Sequence, residues 1–474
     1  MEPVFKNRVV MLDPARLLEQ RDYYYDLMPW LAEWGYNALH WHFTDDEGCV
    51  LQFPSHPELA TEGAFTPAEM KHFISVAQQH GLAVIPELES LGHTGCITRL
   101  PQYAHLGGAP RTGGGFNSLH PNHPEVRALM RELLTDVAAI FPHEIIHAGL
   151  DEVDMSLIPE YSHLTRTEQW QAFGPYAAWI HQEIRQLGRR PAMWGDHLVS
   201  APQLLDQLER DLLIFHWHYW PPFRAAPLRS FLTAGFEVWG APSSMIWNQK
   251  LMPSIREQFQ NLREYSAVAL GLREAGCTGM VNTLWTPWRY LSGVVDLPLA
   301  LGGHLFTAAA ESTDFTIDFA ASFYGFDRDT ARDCARILLQ LHDLPPQREQ
   351  FLRLIKGNCN ETDFHREDSR HYAHIQREAL RLRRELEPLV SRARRHATRL
   401  ADYLLTAEII ERYGAFGASG RQSGSAGDIS NLLQRCDISW RRTKALAWQN
   451  VALPYLETEW LLPTLATLPH LPLS

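Results

Sequence analysis

Over the first three hundred residues, short apolar runs rich in β-branched and aromatic side chains alternate with stretches whose apolar positions recur at helical spacing. That is the pattern of repeated βα units around a parallel sheet. Eight runs qualify as strands: Arg8–Asp13, Asn37–Phe43, Ala83–Glu89, Glu144–Asp151, Pro191–Asp196, Leu212–Tyr219, Glu237–Ala241 and Gly279–Trp285. Eight is the number that closes a (β/α)8 barrel, so the expected fold class is α/β, a TIM barrel over residues 1–312. Helix starts are legible between the strands. Thr66-Pro67-Ala68-Glu69 combines an N-cap, a proline at the first helical position and a capping-box acid. His123-Pro124-Glu125 opens an amphipathic stretch through Leu129, Leu133 and Val137. Gly107–Gly115 is too rich in glycine for either element, and no GxxxxGK[ST] pattern makes it a phosphate cradle.

Beyond residue 312 the alternation stops, and a C-terminal α-helical region is expected over 313–474. Residues 365–412 are dense in Arg, Glu and Leu at helical spacing, and Ala418–Gly427 has a linker's composition before a last helix from Asp428. The arginines of Arg392–Arg399 have glutamates just upstream, Glu385 and Glu387, and the chain is acidic overall, which predicts a solvated or packing helix face rather than a polyanion site. Amphipathic helices of this kind pack on their own barrel or on a second copy with equal ease, so a homodimer stays open.

Composition narrows the partners. The chain of 474 residues is 45% hydrophobic, enough for a large core, and its formal charge of -12 argues against nucleic-acid and anionic-membrane partners. No apolar run approaches the length of a membrane span, and the first residues lack an apolar signal segment, so a soluble, cytoplasmic protein is expected. The six cysteines contain no CxxC pair and are scattered, which fits reduced thiols better than a disulfide framework or a zinc site; no metal and no cofactor are expected.

The candidate chemistry gathers at strand ends. Glu144–Asp154 is an apolar run ending in the adjacent carboxylates Asp151 and Glu152. Side chains at the C-terminal end of a barrel strand face the catalytic mouth, where paired acids in unlike surroundings divide acid and electrostatic roles, a glycosidase-like signal. The second strand closes with His40-Trp-His-Phe-Thr-Asp45-Asp46-Glu47-Gly48, the third with Pro86-Glu87-Leu-Glu89-Ser-Leu-Gly92-His93-Thr94, the fifth with Trp194-Gly-Asp196, the sixth with Trp217-His-Tyr219-Trp220 and the eighth with Trp285-Thr-Pro-Trp288. Of fifteen tryptophans, at least six fall at or beside these ends. Indole faces stack on the apolar face of a sugar ring while carboxylates hold its hydroxyls.

In this order the motifs resemble glycoside hydrolase family 20, the β-N-acetylhexosaminidases, and within it the short intracellular hexosaminidase D type. The resemblance runs from Arg8 to about Trp288 and includes Asn117…His120-Pro121…Pro124-Glu125 and His147-Ala-Gly-Leu-Asp-Glu, where the family commonly writes His-x-Gly-Gly-Asp-Glu and Leu150 departs from it. It implies an exo-acting, retaining enzyme whose substrate is a glycan or glycoconjugate with a terminal β-linked GlcNAc or GalNAc. Glu152 would be the general acid/base, Asp151 would orient the 2-acetamido group, and Tyr219 would donate to its oxygen. Trp194, Trp217 and Trp285, with Trp239 and Trp288, would wall the sugar; Arg8 and Asp46 would hold hydroxyls; His93 and Asp45 would support Glu152. An apolar tryptophan wall and the Asp151 charge would both raise the pKa of Glu152. Two departures bear on specificity: Pro287 stands where many members place an acid, and Trp239–Asn248 replaces the usual Tyr and Asp of the seventh strand.

Two readings from other classes compete. A metal-dependent barrel hydrolase would use His40-x-His42 or His216-x-His218, since histidines two apart on a strand share a face. A non-catalytic glycan-binding barrel would keep the aromatics and lose the acid, whereas Glu152 is present.

Overall fold

The computed structural model describes residues 3–108, 117–246, 251–344, 369–418 and 426–445. Among the described residues nine strands form one sheet: β1 (Asn7–Leu12), β2 (Ala38–His42), β3 (Ala83–Glu87), β4 (Ile145–His147), β5 (Arg190–Trp194), β6 (Leu213–Trp217), β7 (Glu237–Ala241), β8 (Ser243–Met245) and β9 (Cys277–Leu284). Every pairing is parallel, β7 pairs with β9, and β1 pairs with β9 from Asn7↔Gly279 to Leu12↔Leu284, which closes the barrel. β8 is a short strand beside β9. The eight expected strands are therefore those of the barrel, a (β/α)8 fold.

Alternation along each strand sorts its side chains into two layers. Val9, Met11, Ala38, Ile85, Ile145, Ala192, Trp194, Leu213, Phe215 and Val281 fill the barrel interior. Their neighbours Val10, Leu12, Leu39, Trp41, Ile146, Met193, Ile214 and Val238 face the surrounding helices. The strands stop earlier at the mouth than their apolar runs suggest. The run expected as Glu144–Asp151 is a strand only over Ile145–His147, because Gly149, Leu150 and Glu152 take left-handed backbones with φ of 66°, 73° and 46°. A Cβ on Gly149 would lie 2.0 Å from Glu89 Oε2, so a larger residue there would have to displace the Glu89 carboxyl. Leu150 holds a conformation that costs a non-glycine residue about 1–2 kcal/mol, which explains the glycine the family writes at that place.

Thr66 and Glu69 form the expected capping box on Pro67–Gln79, and Thr165 with Glu168 forms a second on Arg166–Gln186. After residue 312 come helices Phe315–Tyr324, Arg328–Asp343, Ser369–Arg392, Ala397–Ala418 and Ala426–Arg441. The last starts at Ala426, two residues before the expected Asp428. Ser369–Arg392 buries Tyr372, Ile375, Ala379, Leu382, Leu386 and Leu389, one stripe at helical spacing. The arginine cluster is divided: Arg392, Arg394 and Arg395 are exposed, the Arg395 guanidinium 5.7 Å from the centre of the Trp30 ring, while Arg399 packs inward and pairs with buried Asp296. Among the described residues no helix is long and apolar enough to cross a membrane.

Candidate active site

The interior faces of β2, β3 and β4 carry charge where a barrel usually packs branched aliphatics. Alternation puts Glu87 on the same face as Ile85, and His40 and His42 on the face of Ala38. Glu87 is fully buried, and a buried carboxylate persists only when its charge and lone pairs are answered. Trp194 Nε1 donates to its Oε1 at 2.5 Å and His42 Nδ1 to its Oε2 at 2.7 Å. His40 Nε2 and His147 Nδ1 each lie 3.2 Å from its oxygens. His42 Nε2 also donates to Asp45 Oδ2 at 2.7 Å. Burial works against a charge on His42, but Glu87 and Asp45 outweigh it and lift its pKa to about 10. At His40 burial wins, and the pKa falls to about 3 despite Glu87. An imidazolium and a neutral imidazole thus stand side by side in the barrel.

Asp45 carries the network to the mouth. Its Oδ1 lies 3.1 Å from His93 Nδ1, and its Oδ2 pairs with Arg16 at 2.7 Å. Burial is overcome here by Arg16 and His93, which hold the Asp45 carboxyl well below the usual range. On its other side His93 Nε2 stands 3.4 Å from Glu152 Oε2 and 3.5 Å from Asp151 Oδ2. Burial disfavours charge on His93 too, yet Asp45 and Asp151 raise its pKa well above the ordinary value. Asp196 accepts the Glu152 N–H at 3.0 Å and so holds the left-handed turn that aims this residue. The two adjacent carboxyls differ sharply: the Glu152 side chain is 40% exposed, that of Asp151 only 11%. Burial pushes Asp151 up to about 7 against the pull of His93, with Asp196 and Glu152 adding to the rise.

The opposite wall is aromatic. Trp194 ends β5 and Trp217 ends β6, whose continuation carries Tyr219 stacked on Trp217 at 5.2 Å. Trp285, just past β9, donates its Nε1–H to Tyr219 Oη at 3.0 Å and lies 6.2 Å from Trp194 and 5.3 Å from His42. Arg16 sits above the Trp285 ring at 4.9 Å and bonds Asp13, whose Oδ2 also accepts the Thr286 N–H at 2.9 Å.

The structure therefore brings Asp45, His93, Asp151, Glu152, Trp194, Trp217, Tyr219 and Trp285 together and sets other expected residues apart. Arg8 is the second residue of β1, at the end of the barrel opposite the mouth and on the outer face with Val10 and Leu12. Its guanidinium donates to the carbonyls of Gly35 and Phe5 at 2.6 and 2.9 Å, so it cannot hold substrate hydroxyls there. Asp46 spends its carboxylate on Gly95 N at 2.7 Å and on the N–H groups of Asn117, and so pins the loop after β3. Trp239 lies low in the barrel, donating to Thr278 and Glu237 and stacking on Phe215 at 5.0 Å. The Trp288 side chain, Trp247 and Asn248 lie outside the described residues, as does most of the glycine loop. The tryptophan wall does not enclose Glu152; the enclosed acid is Asp151. Arg16, Asp13, Glu87 and Asp196 were missed. Glu87 was detectable as an acid in register with Ile85 on an interior face, and Arg16 as a cation three residues after the strand-end Asp13.

The histidine pairs of the metal reading are engaged with protein groups: each ring nitrogen of His42 lies 2.7 Å from a carboxylate, that of Glu87 or of Asp45. His216 faces outward, with Nδ1 2.5 Å from the Tyr265 hydroxyl and its ring against Phe231, so His216-x-His218 does not face the mouth.

Solved structures share the architecture. An exo β-N-acetylglucosaminidase of family 20 from Vibrio harveyi superposes with a TM-score of 0.54 at 20% identity, over 72% of this chain and 59% of that one. The family 20 β-N-acetylhexosaminidase of Streptomyces coelicolor gives 0.53 at 22%, over 71% and 70%. Among curated proteins, a β-hexosaminidase of Vibrio furnissii is 27% identical over 253 residues, 45% of this chain and 40% of its own length. A β-N-acetylhexosaminidase of Cellulomonas fimi is 26% identical over 309 residues, 62% and 56%. The chain thus spans about half the length of these curated relatives. Residues 5–258, which contain β1 to β8 and both members of the Asp151–Glu152 pair, match the glycosyl hydrolase family 20 catalytic domain, and to that family the chain belongs.

Proposed function

We propose that the protein is an exo-acting, retaining β-N-acetylhexosaminidase that removes terminal GlcNAc or GalNAc with the substrate's own acetamide oxygen as nucleophile. The observation that carries this is the Asp45–His93 pair ending on two unlike carboxyls, exposed Glu152 and buried Asp151, across from the Tyr219–Trp285 pair. In the first step the Glu152 carboxyl gives its proton to the leaving oxygen as the bond to C1 breaks, and the acetamide oxygen bonds C1. Water then opens that ring and returns a proton to Glu152. His93 steadies Glu152 from the rear. Asp151 Oδ1 is buried with no hydrogen-bond partner among the described residues and would accept the acetamide N–H. An indole N–H only donates, so Tyr219 Oη accepts from Trp285, and its own proton serves the acetamide oxygen. Family 20 is among the substrate-assisted exceptions to the two-carboxylate scheme, so Asp151 forms no bond to the sugar. The names of the curated relatives support the reading.

The finer placement with the hexosaminidase D type belongs to the same proposal. Pro287 stands where an acid usually grips ring hydroxyls, which favours acceptance of both gluco and galacto epimers. The test is nitrophenol release from N-acetyl-β-glucosaminide, N-acetyl-β-galactosaminide and the plain β-glucoside, together with binding of a thiazoline that mimics the cyclised intermediate. Activity on both N-acetylated sugars, none on the glucoside and tight thiazoline binding are expected. Comparable cleavage of the plain glucoside with weak thiazoline binding defeats substrate assistance.

A further inference from the structure

The loop that carries Arg16 is held from outside the barrel. It runs from the end of β1 to Gln20, before the helix Arg21–Glu33, and residues 442–445 lie against it. Gln20 N donates to Thr443 O at 2.6 Å, Ala445 N donates to Leu18 O at 3.0 Å, and Glu19 and Lys444 form an antiparallel bridge. Gln20 Nε2 donates to the carbonyls of Arg441 and Lys444 at 3.3 and 3.1 Å. Lys444 Nζ reaches Glu19 Oε1 at 2.5 Å with its side chain 0% exposed, 5.9 and 5.8 Å from the ring centres of Tyr290 and Trp440. Lysine is almost never fully buried unless it is paired. A buried pair of this kind fixes geometry, because either charge left alone is costly.

The same strap holds the loop after β9. Thr443 Oγ1 meets Ser292 Oγ at 2.8 Å, and Asp402 Oδ2 accepts from Gly293 N at 2.8 Å and from Arg442 at 3.1 Å. Arg399 pairs with Asp296 on the helix that follows. One loop presents Arg16 and the other begins at Trp285, and these two side chains meet at 4.9 Å. The C-terminal region thus touches both supports of one face of the mouth, from residues beyond the family match of 5–258.

We propose that Lys444 is a positioning residue for the Arg16–Trp285 face, and that the segment 442–445 completes the sugar pocket from the helical extension. The inference rests on the mouth being a hexosaminide site. A merely stabilising strap would lower the melting temperature and leave substrate affinity alone.

The test uses the full chain with Lys444→Met. Hydrogen exchange at residues 14–20 is expected to accelerate while the loop 88–94 keeps its protection, and KM for the nitrophenyl N-acetyl-β-glucosaminide rises roughly fivefold or more with kcat within about twofold, the mark of lost uniform binding. Gln20→Ala removes two hydrogen bonds without burying a lone charge; it gives the same split at about twofold and serves if Lys444→Met does not fold. Leu382→Ala, inside the extension's own core, is the matched control: lower stability, unchanged KM. Unchanged exchange at 14–20 overturns the proposal, as does loosened exchange with unchanged KM, or an equal KM rise in Leu382→Ala. A wild-type chain inert toward every N-acetylhexosaminide, in which Lys444→Met still loosens 14–20, supports the strap and sinks the hydrolase assignment.

Discussion

The two sides of the barrel mouth are built from different chemistry. On β2, β3 and β4, buried ions answer one another: Glu87 is shared by three histidines and an indole, and Asp45 links His42, His93 and Arg16. On β5, β6 and after β9, rings meet rings, and the few polar atoms are indole N–H groups and the Tyr219 hydroxyl. The charged side keeps its ions because each is paired; the aromatic side offers no counter-charge and lowers the local dielectric, which strengthens every interaction facing it. Asp151 lies at the seam. It feels burial from the rings and only partial relief from His93, and its pKa of about 7 follows. Glu89 shows the limit of the charged side: its buried carboxyl oxygens have no hydrogen-bond partner among the described residues, and burial, with Asp151 and Glu87, drives it well above the usual carboxyl range.

The largest expected break in this division is Glu152→Gln. Loss of a general acid forfeits roughly 10²- to 10⁴-fold in kcat with poor leaving groups and far less with activated aryl glycosides. Rates measured across leaving groups check it, and an equal loss on both kinds removes Glu152 from the acid role. On the aromatic side, Tyr219→Phe is expected to lower kcat by about 10²- to 10³-fold, as for one donor aimed at developing negative charge, with the melting temperature little changed. Full activity in that variant would make Tyr219 a wall residue only.

The seam itself is tested by pH. If Asp151 must be ionised to orient the acetamide, protonation removes it on the acid side, so kcat/KM falls as the pH drops below the Asp151 pKa, pushed up to about 7, by roughly tenfold per pH unit. Flat kcat/KM between pH 5 and 8 is the outcome that excludes this role. Arginines give the next contrast: Arg16→Ala should raise KM about tenfold, the cost of roughly one charged hydrogen bond, while Arg8→Ala should leave KM unmoved. Arg8→Ala loses stability of about 1 kcal/mol through its bonds to the Gly35 and Phe5 carbonyls, read as a small shift in melting temperature. Of comparable size is Trp239→Phe, deep in the barrel, where about 1 kcal/mol of stability and no specificity should be lost; an altered ratio of GlcNAc to GalNAc cleavage would return Trp239 to the mouth.

Much of this arrangement is legible in the chain because it is local. The strand ends come with their own motifs, and Asp151, Glu152, Tyr219 and Trp285 could be placed at the mouth from the direction of a parallel barrel strand alone. The misassigned residues share one cause. Arg8, Asp46 and Trp239 each stand in or beside a mouth motif, but whether such a side chain reaches substrate depends on its end of the strand and on who claims its hydrogen bonds. Arg8 is claimed by carbonyls near the barrel floor, Asp46 by the amides of the next loop and Trp239 by Thr278.

By itself, then, the sequence determined the number and order of the barrel strands, though not the short β8, together with the alternation that separates interior from outer face and the adjacent acids at the fourth strand, since each is written in near neighbours and a period of two. Only the tertiary structure decided that Asp151 rather than Glu152 is enclosed, that Arg16 rather than Arg8 reaches the mouth, and that residues near 444 brace a loop near 16. Those outcomes depend on distances between segments far apart in the chain, and burial and charge act through such distances without leaving any repeat in the sequence.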